Sequence, residues 1–334
     1  MKHTVHHIET IKKYLRVADY LTAAQIYLQD NFLLTQKLTF DHIKPRLLGH
    51  WGTGPGINFL YAHLNAFIKD NPRSVMFVLG PGHGFPALQA NLFLEGTLER
   101  YYESATVDET GVAYIAKNFS WPYGFPSHSN PGTPGVILEG GELGYSLSTS
   151  YGAVLDNPDL TAVCLIGDGE AETAATATAW HLNKFVDPKT NGVVLPVLHL
   201  NGYKISGPTV YGRMSNKDLK TLFTGYGYDP IVVDGSDLHK SMAEALFEAF
   251  QKIDDIKEKA RSEEQQELPR LPMIIMRTPK GWGGIKKLHG EKIEDNCLSH
   301  QVVGANAKTD KEELELLEKW LLSYDLKEVF NGTT

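Results

Sequence analysis

A doubly wound α/β fold, with a mostly parallel sheet and helices on both faces, is what this 334-residue sequence predicts. Three observations lead there. Short apolar runs recur along the chain, and each ends in glycine or a polar loop. Segments with helical spacing separate them. Glycines and histidines gather in those loops rather than spreading evenly. Alternation of this kind belongs to parallel strands joined by crossover helices, an architecture that takes its ligands at the carboxyl ends of the strands.

The elements follow in order. Ile11, Tyr14, Leu15, Ala18 and Leu21 predict a helix from Thr10 to about Phe32. A second helix follows Pro55, carried by Ile57, Leu60, Tyr61, Leu64, Phe67 and Ile68. Five apolar runs read as buried strands. Ser74 to Leu79 enters Gly80-Pro81-Gly82-His83-Gly84, Thr161 to Ile166 enters Gly167-Asp168-Gly169, and Val193 to Leu200 enters Asn201-Gly202. Ile231 to Val233 enters Asp234-Gly235, and Met273 to Met276 leads to Arg277-Thr278-Pro279-Lys280-Gly281. Helical stretches are expected over Glu170 to Phe185 and Asp237 to Lys259, with Arg261 to Glu267 as a charged surface link. Asp310 to Tyr324 reads as a polar-faced terminal helix leading out of the domain. The expected organisation is therefore a helical arm over 1–44, an α/β domain over 45–305, and a helix with linker over 306–334.

Composition excludes several classes. With 32 Lys and Arg against 40 Asp and Glu, no basic excess is available to neutralise a phosphate backbone, so no nucleic-acid partner is expected. No apolar run reaches the ~18 residues of a membrane span, so no membrane partner is expected either. Met1 to Tyr14 lacks the apolar core of a signal peptide. Two cysteines, Cys164 and Cys297, build no disulfide framework and fit a reducing cytoplasm.

The most specific motif is Gly167-Asp168-Gly169-Glu170, between a buried strand and a helix, with Asn201-Gly202 closing the next strand. A diphosphate suits the N–H groups of a helix start, and Gly167 and Gly169 carry no side chain to block its approach. Mg²⁺ takes oxygen ligands and bridges to phosphate oxygens. Asp168 and the Asn201 side chain are candidate ligands from adjacent strand ends, and the Tyr203 carbonyl is a third. The alternative is a capped turn with Asp168 as N-cap and an ordinary Asn-Gly turn.

This arrangement resembles the thiamine diphosphate motif, Gly-Asp-Gly followed about thirty residues later by Asn. Further blocks narrow the likeness: Gly49-His50-Trp51-Gly52-Thr53, Gly80 to Gly84, Pro126-Ser127-His128, Glu139 to Ser146, His199 to Lys204, and Arg277 to Trp282. Together they resemble the phosphoketolase family, from about Leu47 to Val302. The resemblance implies a thiamine diphosphate-binding fold with Mg²⁺ (or Ca²⁺). The implied reaction cleaves xylulose 5-phosphate or fructose 6-phosphate with inorganic phosphate, giving acetyl phosphate and an aldose phosphate. It places His50, His83 and His128 in the pocket as proton donors and acceptors. Gly141 and Leu143 then contact the aminopyrimidine side of the cofactor, and Lys280 and His300 lie near diphosphate or incoming phosphate as a cationic pair. Glu170 belongs to the cofactor loop, and both it and Glu142 are candidates to hold loops, their roles left open.

Plainer readings stand beside these. A histidine in a glycine loop can simply bond to backbone, Leu143 can be core, and a lone lysine is a surface residue by default. His3, His6, His7, His42 and His239 sit in polar or helical text and are expected to be solvated.

Phosphoketolases are well over twice this length. The resemblance therefore implies a piece of a longer enzyme, lacking the pyrimidine-binding domain, with its activating glutamate, and the C-terminal domain. The complete enzyme is expected to be a homodimer or larger, and this chain alone inactive. Ile205-Ser206-Gly207-Pro208 departs from many relatives and carries no interpretation. Two rivals remain: a transketolase-like thiamine enzyme, and a non-catalytic subunit that completes a site with another chain.

Overall fold

The structure, a computed structural model, describes residues 7–262 and 267–326. In chain order its helices are α1 (Ile8–Tyr27), α2 (Gly54–Asp70), α3 (Phe85–Leu94), α4 (Glu109–Asn118), α5 (Ser146–Val154), α6 (Asp168–Ala171), α7 (Ala174–Ala179), α8 (Asn216–Tyr226), α9 (Leu238–Arg261) and α10 (Lys311–Leu322). The main strands are β1 (Val75–Leu79), β2 (Thr161–Gly167), β3 (Val193–Leu200), β4 (Tyr228–Val233) and β5 (Leu271–Arg277). The chain forms two compact units. The first is built chiefly from His63–Pro81 and Glu142–Thr278, the second from Glu9–Ala62, Gly82–Gly141 and the described part of the segment from Pro279 onward.

The first unit holds the sheet. Its order is β1-β2-β3-β5-β4, and every pairing is parallel. The strands run one way from β1 to β4 and step back to β5. Right-handed connections then put α5 and α8 on one face and α9 on the other. Accordingly α5 packs on β2 and β3, α8 on β4, and α9 on β4 and β5. β2 and β3 are buried along nearly their whole length, which is why they read as unbroken apolar runs. Pro196 interrupts β3 at no cost to the ladder with β5, because that pairing begins one residue later at Val197. Pro230 lies in β4, the edge strand, where a missing donor is tolerated.

In the second unit, α1 is shorter than the spacing predicts. The chain leaves the helix after Tyr27: Leu28 bridges Ile43, the Gln29 N–H donates to the His42 carbonyl, and Asn31 turns to φ 53°. Buried Lys44 caps the helix end, its Nζ donating to the Gln25 carbonyl at 2.7 Å. The terminal helix expected to lead away instead docks within this unit. Trp320 of α10 packs edge-on against Trp51 with ring centroids 4.7 Å apart and against Tyr27 at 5.8 Å, and its indole N–H donates to the Gly283 carbonyl. Trp320→Ala should cost about 3–5 kcal/mol, seen as a lower denaturant midpoint for this chain.

The helix expected over Glu170 to Phe185 is broken into α6, α7 and a 3₁₀ turn at Trp180–Lys184. Thr173 adopts an extended backbone between α6 and α7, and its hydroxyl bonds back to the Gly169 carbonyl. The link at Arg261 to Glu267 has residues 263–266 outside the described residues, as are 1–6 of the arm and 327–334 of the terminal linker.

Candidate active site

Two sets of candidate residues are gathered, one in each unit. In the sheet unit, β2 and β3 pair in register so that Gly167 lies beside His199. The Asp168 and Asn201 loops therefore leave neighbouring strand ends. Asp168, 3% exposed, opens α6 rather than capping it; Gly167 is the N-cap. Its Oδ1 accepts from the Gly169 N–H at 2.9 Å, while Oδ2 accepts from the Gly202 N–H at 2.6 Å and from the Thr209 hydroxyl at 3.1 Å. The carboxylate thus ties the β2 end to the loop after β3. Buried Asn201 turns its Oδ1 toward the Tyr203 N–H at 3.2 Å. The Tyr203–Thr209 loop closes on itself through a bridge between Tyr203 and Pro208 and a bond from the Lys204 N–H to the Gly207 carbonyl.

Glu170 does not face solvent. Its Oε1 takes the Ser146 hydroxyl at 2.6 Å and its Oε2 the Gly167 N–H, and burial pushes its pKa above the ordinary carboxylate value against the pull of those bonds. Its place is therefore to brace the Gly167–Gly169 loop. Glu172 pairs with Lys204 at 2.6 Å and accepts from the Tyr211 N–H, bracing the same region from the other side. A loop-holding place was among the expectations for Glu170, its role left open; the Glu172 brace was not read from the sequence, since carboxylates at a helix start look alike there. Leu143 is 45% exposed, so it is not a core residue, and Gly141 in the second unit is exposed as well.

The donor set at the strand ends consists of oxygens: a carboxylate, a side-chain amide and a main-chain carbonyl. That chemistry fits a small hard cation bridged to phosphate.

The second unit gathers His50, His83, His128, His300 and Lys280. His50 is the hub, with ring centroids 4.9 Å from His83, 5.3 Å from His128 and 5.3 Å from His300; His83 and His300 lie 5.1 Å apart. The loops that carry them are stitched by backbone. The Gly281 N–H donates to the Gly52 carbonyl at 2.8 Å, the Trp51 N–H to that of Gln301, and the Trp51 indole to that of Gly281. The Ser129 N–H donates to the Gly82 carbonyl at 3.0 Å, and the Gly140 N–H to that of Ser129. Glycine at 52 is required by the approach itself: a Cβ there would fall 2.7 Å from the Ser299 carbonyl and 2.9 Å from the His300 Cα. Gly52→Ala should therefore displace the His300 loop and cost about 1–3 kcal/mol, read as a lower melting temperature.

Lys280 is 2% exposed, not the surface residue a lone lysine suggests. Burial and its positive charge act in one direction on the histidines. Desolvation first, then His128 and Lys280, pull His50 down to about 4. Burial, Lys280 and His50 pull His300 down to about 3, and His83 falls well below its ordinary value by burial first and then by the nearby His50, His300 and Lys280. Burial lowers His128 too, against the opposing field of Glu139. The four rings are therefore neutral at pH 7, each with one donor and one acceptor nitrogen. The Nδ1 atoms of His50 and His300 are buried without a hydrogen-bond partner, which buried polar atoms rarely are.

The remaining histidines are scattered. His3 and His6 lie outside the described residues. His7 lies 3.3 Å from Asp70, and His42 Nδ1 takes the Thr39 N–H. His239, expected to be solvated, instead meets fully buried His63 at 3.0 Å, because the start of α9 packs beside α2.

Comparison with known proteins adds kinship to this geometry. The chain is 52% identical over 97% of its length to a protein of Chlorobaculum tepidum called "Probable phosphoketolase", and covers 42% of it. It is 51% identical over 98% of its length to a "Probable phosphoketolase 2" of Nostoc, again covering 42%. The chain thus spans less than half the length of the curated relatives it matches. Among solved structures it shares its fold with a transketolase from Leishmania mexicana, with a TM-score of 0.60 and 17% identity over 95% of this chain and 45% of that one. A transketolase from Campylobacter jejuni gives a TM-score of 0.57 with 17% identity, over 97% and 47%. The family described as "XFP N-terminal domain" matches residues 2–334, and the chain belongs to that family.

Proposed function

We propose that this chain is the N-terminal part of a phosphoketolase. The proposed reaction is the thiamine diphosphate-dependent cleavage of xylulose 5-phosphate and/or fructose 6-phosphate by inorganic phosphate, releasing acetyl phosphate and an aldose phosphate. One observation carries the reading: four neutral imidazoles cluster around His50 beside a buried lysine, with the Nδ1 atoms of His50 and His300 left for a ligand. Such a group suits a reaction that moves several protons and takes up an anion.

When bound, thiamine diphosphate supplies the carbanion chemistry of carbon–carbon cleavage. The protein residues do the rest. Asp168, Asn201 and the Tyr203 carbonyl hold Mg²⁺ (or Ca²⁺), and the Gly167–Gly169 turn receives the diphosphate. Gly141 and Leu143 contact the aminopyrimidine side. His50, His83 and His128 give protons to substrate oxygens and take them back. Lys280, with His300, attracts the phosphate that ends the reaction; lysine suits this as a compact charge. The pyrimidine-binding and C-terminal domains belong to the rest of the polypeptide, and the complete enzyme is a homodimer or larger. Two unpaired cysteines fit a cytoplasmic setting, and among the described residues no helix is long and apolar enough to cross a membrane.

The test is the full-length polypeptide with either sugar phosphate, phosphate, thiamine diphosphate and Mg²⁺. Acetyl phosphate, trapped as its hydroxamate, is the expected product. Transfer of a two-carbon unit to an aldose acceptor without acetyl phosphate would instead mark a transketolase-type enzyme.

A further inference from the structure

We propose that Ser127 is a positioning residue for His128, holding the ring at Nδ1 so that Nε2 can give or take a proton without the ring turning. The inference rests on the reaction proposed above. Ser127 Oγ lies 2.9 Å from His128 Nδ1. The backbone fixes both sides of this pair. Before it, Phe125 is buried against Tyr102 and Tyr114, with ring centroids at 5.1 and 5.6 Å. After it, the Ser129 N–H is bound to the Gly82 carbonyl. On its other side the His128 ring meets His50.

The hydroxyl matters because it both donates and accepts. When His128 is protonated, its Nδ1–H donates to Ser127 Oγ. Loss of the Nε2 proton to a substrate oxygen leaves that bond in place and makes Nε2 an acceptor. In the other neutral tautomer, the Ser127 O–H turns to donate to Nδ1, and Nε2–H becomes a donor. A carboxylate or carbonyl at this position would accept only, and would shut out that last state. Serine therefore keeps the ring oriented through every step of an acid–base cycle, whereas the rings of His50 and His300 have no such partner at Nδ1.

The experiment uses Ser127→Ala and Ser127→Thr in the full-length polypeptide. Ser127→Ala is expected to lower kcat on the order of 10-fold, with KM for the sugar phosphate within about two-fold and the melting temperature unchanged. Ser127→Thr, which keeps the hydroxyl, is expected to restore kcat. Unchanged kcat in Ser127→Ala, or a loss matched by a fall in melting temperature, would overturn the proposal. A second measurement needs no turnover. An unprotonated imidazole nitrogen with a free lone pair attacks a carbonyl of diethyl pyrocarbonate and expels ethyl carbonate, so carbethoxylation of His128, followed by peptide mass spectrometry, should be faster in Ser127→Ala than in the parent. Equal rates would overturn the proposal. A parent polypeptide that makes no acetyl phosphate would instead refute the proposed reaction, leaving the labelling result to decide the Ser127 contact.

Discussion

His50→Ala in the full-length polypeptide is expected to lower turnover on the order of 10²-fold or more, while thiamine diphosphate affinity changes far less. His50 stands at the centre of its group, within 4.9–5.3 Å, ring to ring, of His83, His128 and His300. Its removal takes away one proton carrier and the packing that sets the other three. His83→Ala and His128→Ala should act in the same direction with smaller losses of neighbouring contacts. The pH dependence of stability gives an independent reading. A histidine that titrates near 6.5 when unfolded and about 4 in the fold is protonated more readily in the unfolded chain between those values. Stability should therefore fall as pH drops from about 6.5 towards 4, and His50→Ala should flatten that slope. Near-normal turnover in all three variants would leave the histidines as loop residues that bond to backbone and nothing more.

The five strands were legible because burial on both faces leaves a parallel strand few polar positions, and a run such as Val193 to Leu200 has no other easy reading. β4 was legible only in part. Only Ile231 to Val233 was read as strand, yet on the sheet edge Tyr228–Pro230 also pair with Leu271–Met273. Two helices gave no signal. α3 is buried on nearly every side, so its apolar residues show no stripe, and α5 is rich in Ser, Thr, Tyr and Gly and packs chiefly on β2 and β3. The Asp168 motif could be read because strand, turn and helix are local, and its partner lies at the next strand end. The histidine group was read differently. Each glycine loop marks a place where backbone must come close, but that positions 50, 83, 128 and 300 share one neighbourhood follows from the packing of loops far apart in sequence. Burial of Lys280, the Glu172 brace and the Ser127 contact have no sequence signal of their own.

Asp168→Asn is the sharper of two tests of the strand-end motif. If Gly167-Asp168-Gly169 were only a turn, asparagine would serve nearly as well, because its amide oxygen can accept the Gly202 N–H or the Thr209 hydroxyl that Asp168 Oδ2 now holds. If it holds a divalent cation against a diphosphate, loss of the negative charge is decisive, since Asn201 and the Tyr203 carbonyl bring only neutral oxygens. In the full-length polypeptide, Asp168→Asn and Asp168→Ala are both expected to weaken Mg²⁺-dependent thiamine diphosphate binding, on the order of 10²-fold or about 3 kcal/mol. Asp168→Ala should also lower the melting temperature, because three hydrogen bonds that join the β2 end to the loop after β3 go with it. Asn201→Ala should weaken binding less, as a neutral amide contributes less to a divalent ion. Calorimetric titration with the cofactor, with and without Mg²⁺, reads all three variants. Parental affinity in Asp168→Asn would show that the carboxylate serves the turn and that the cation, if bound, is held elsewhere.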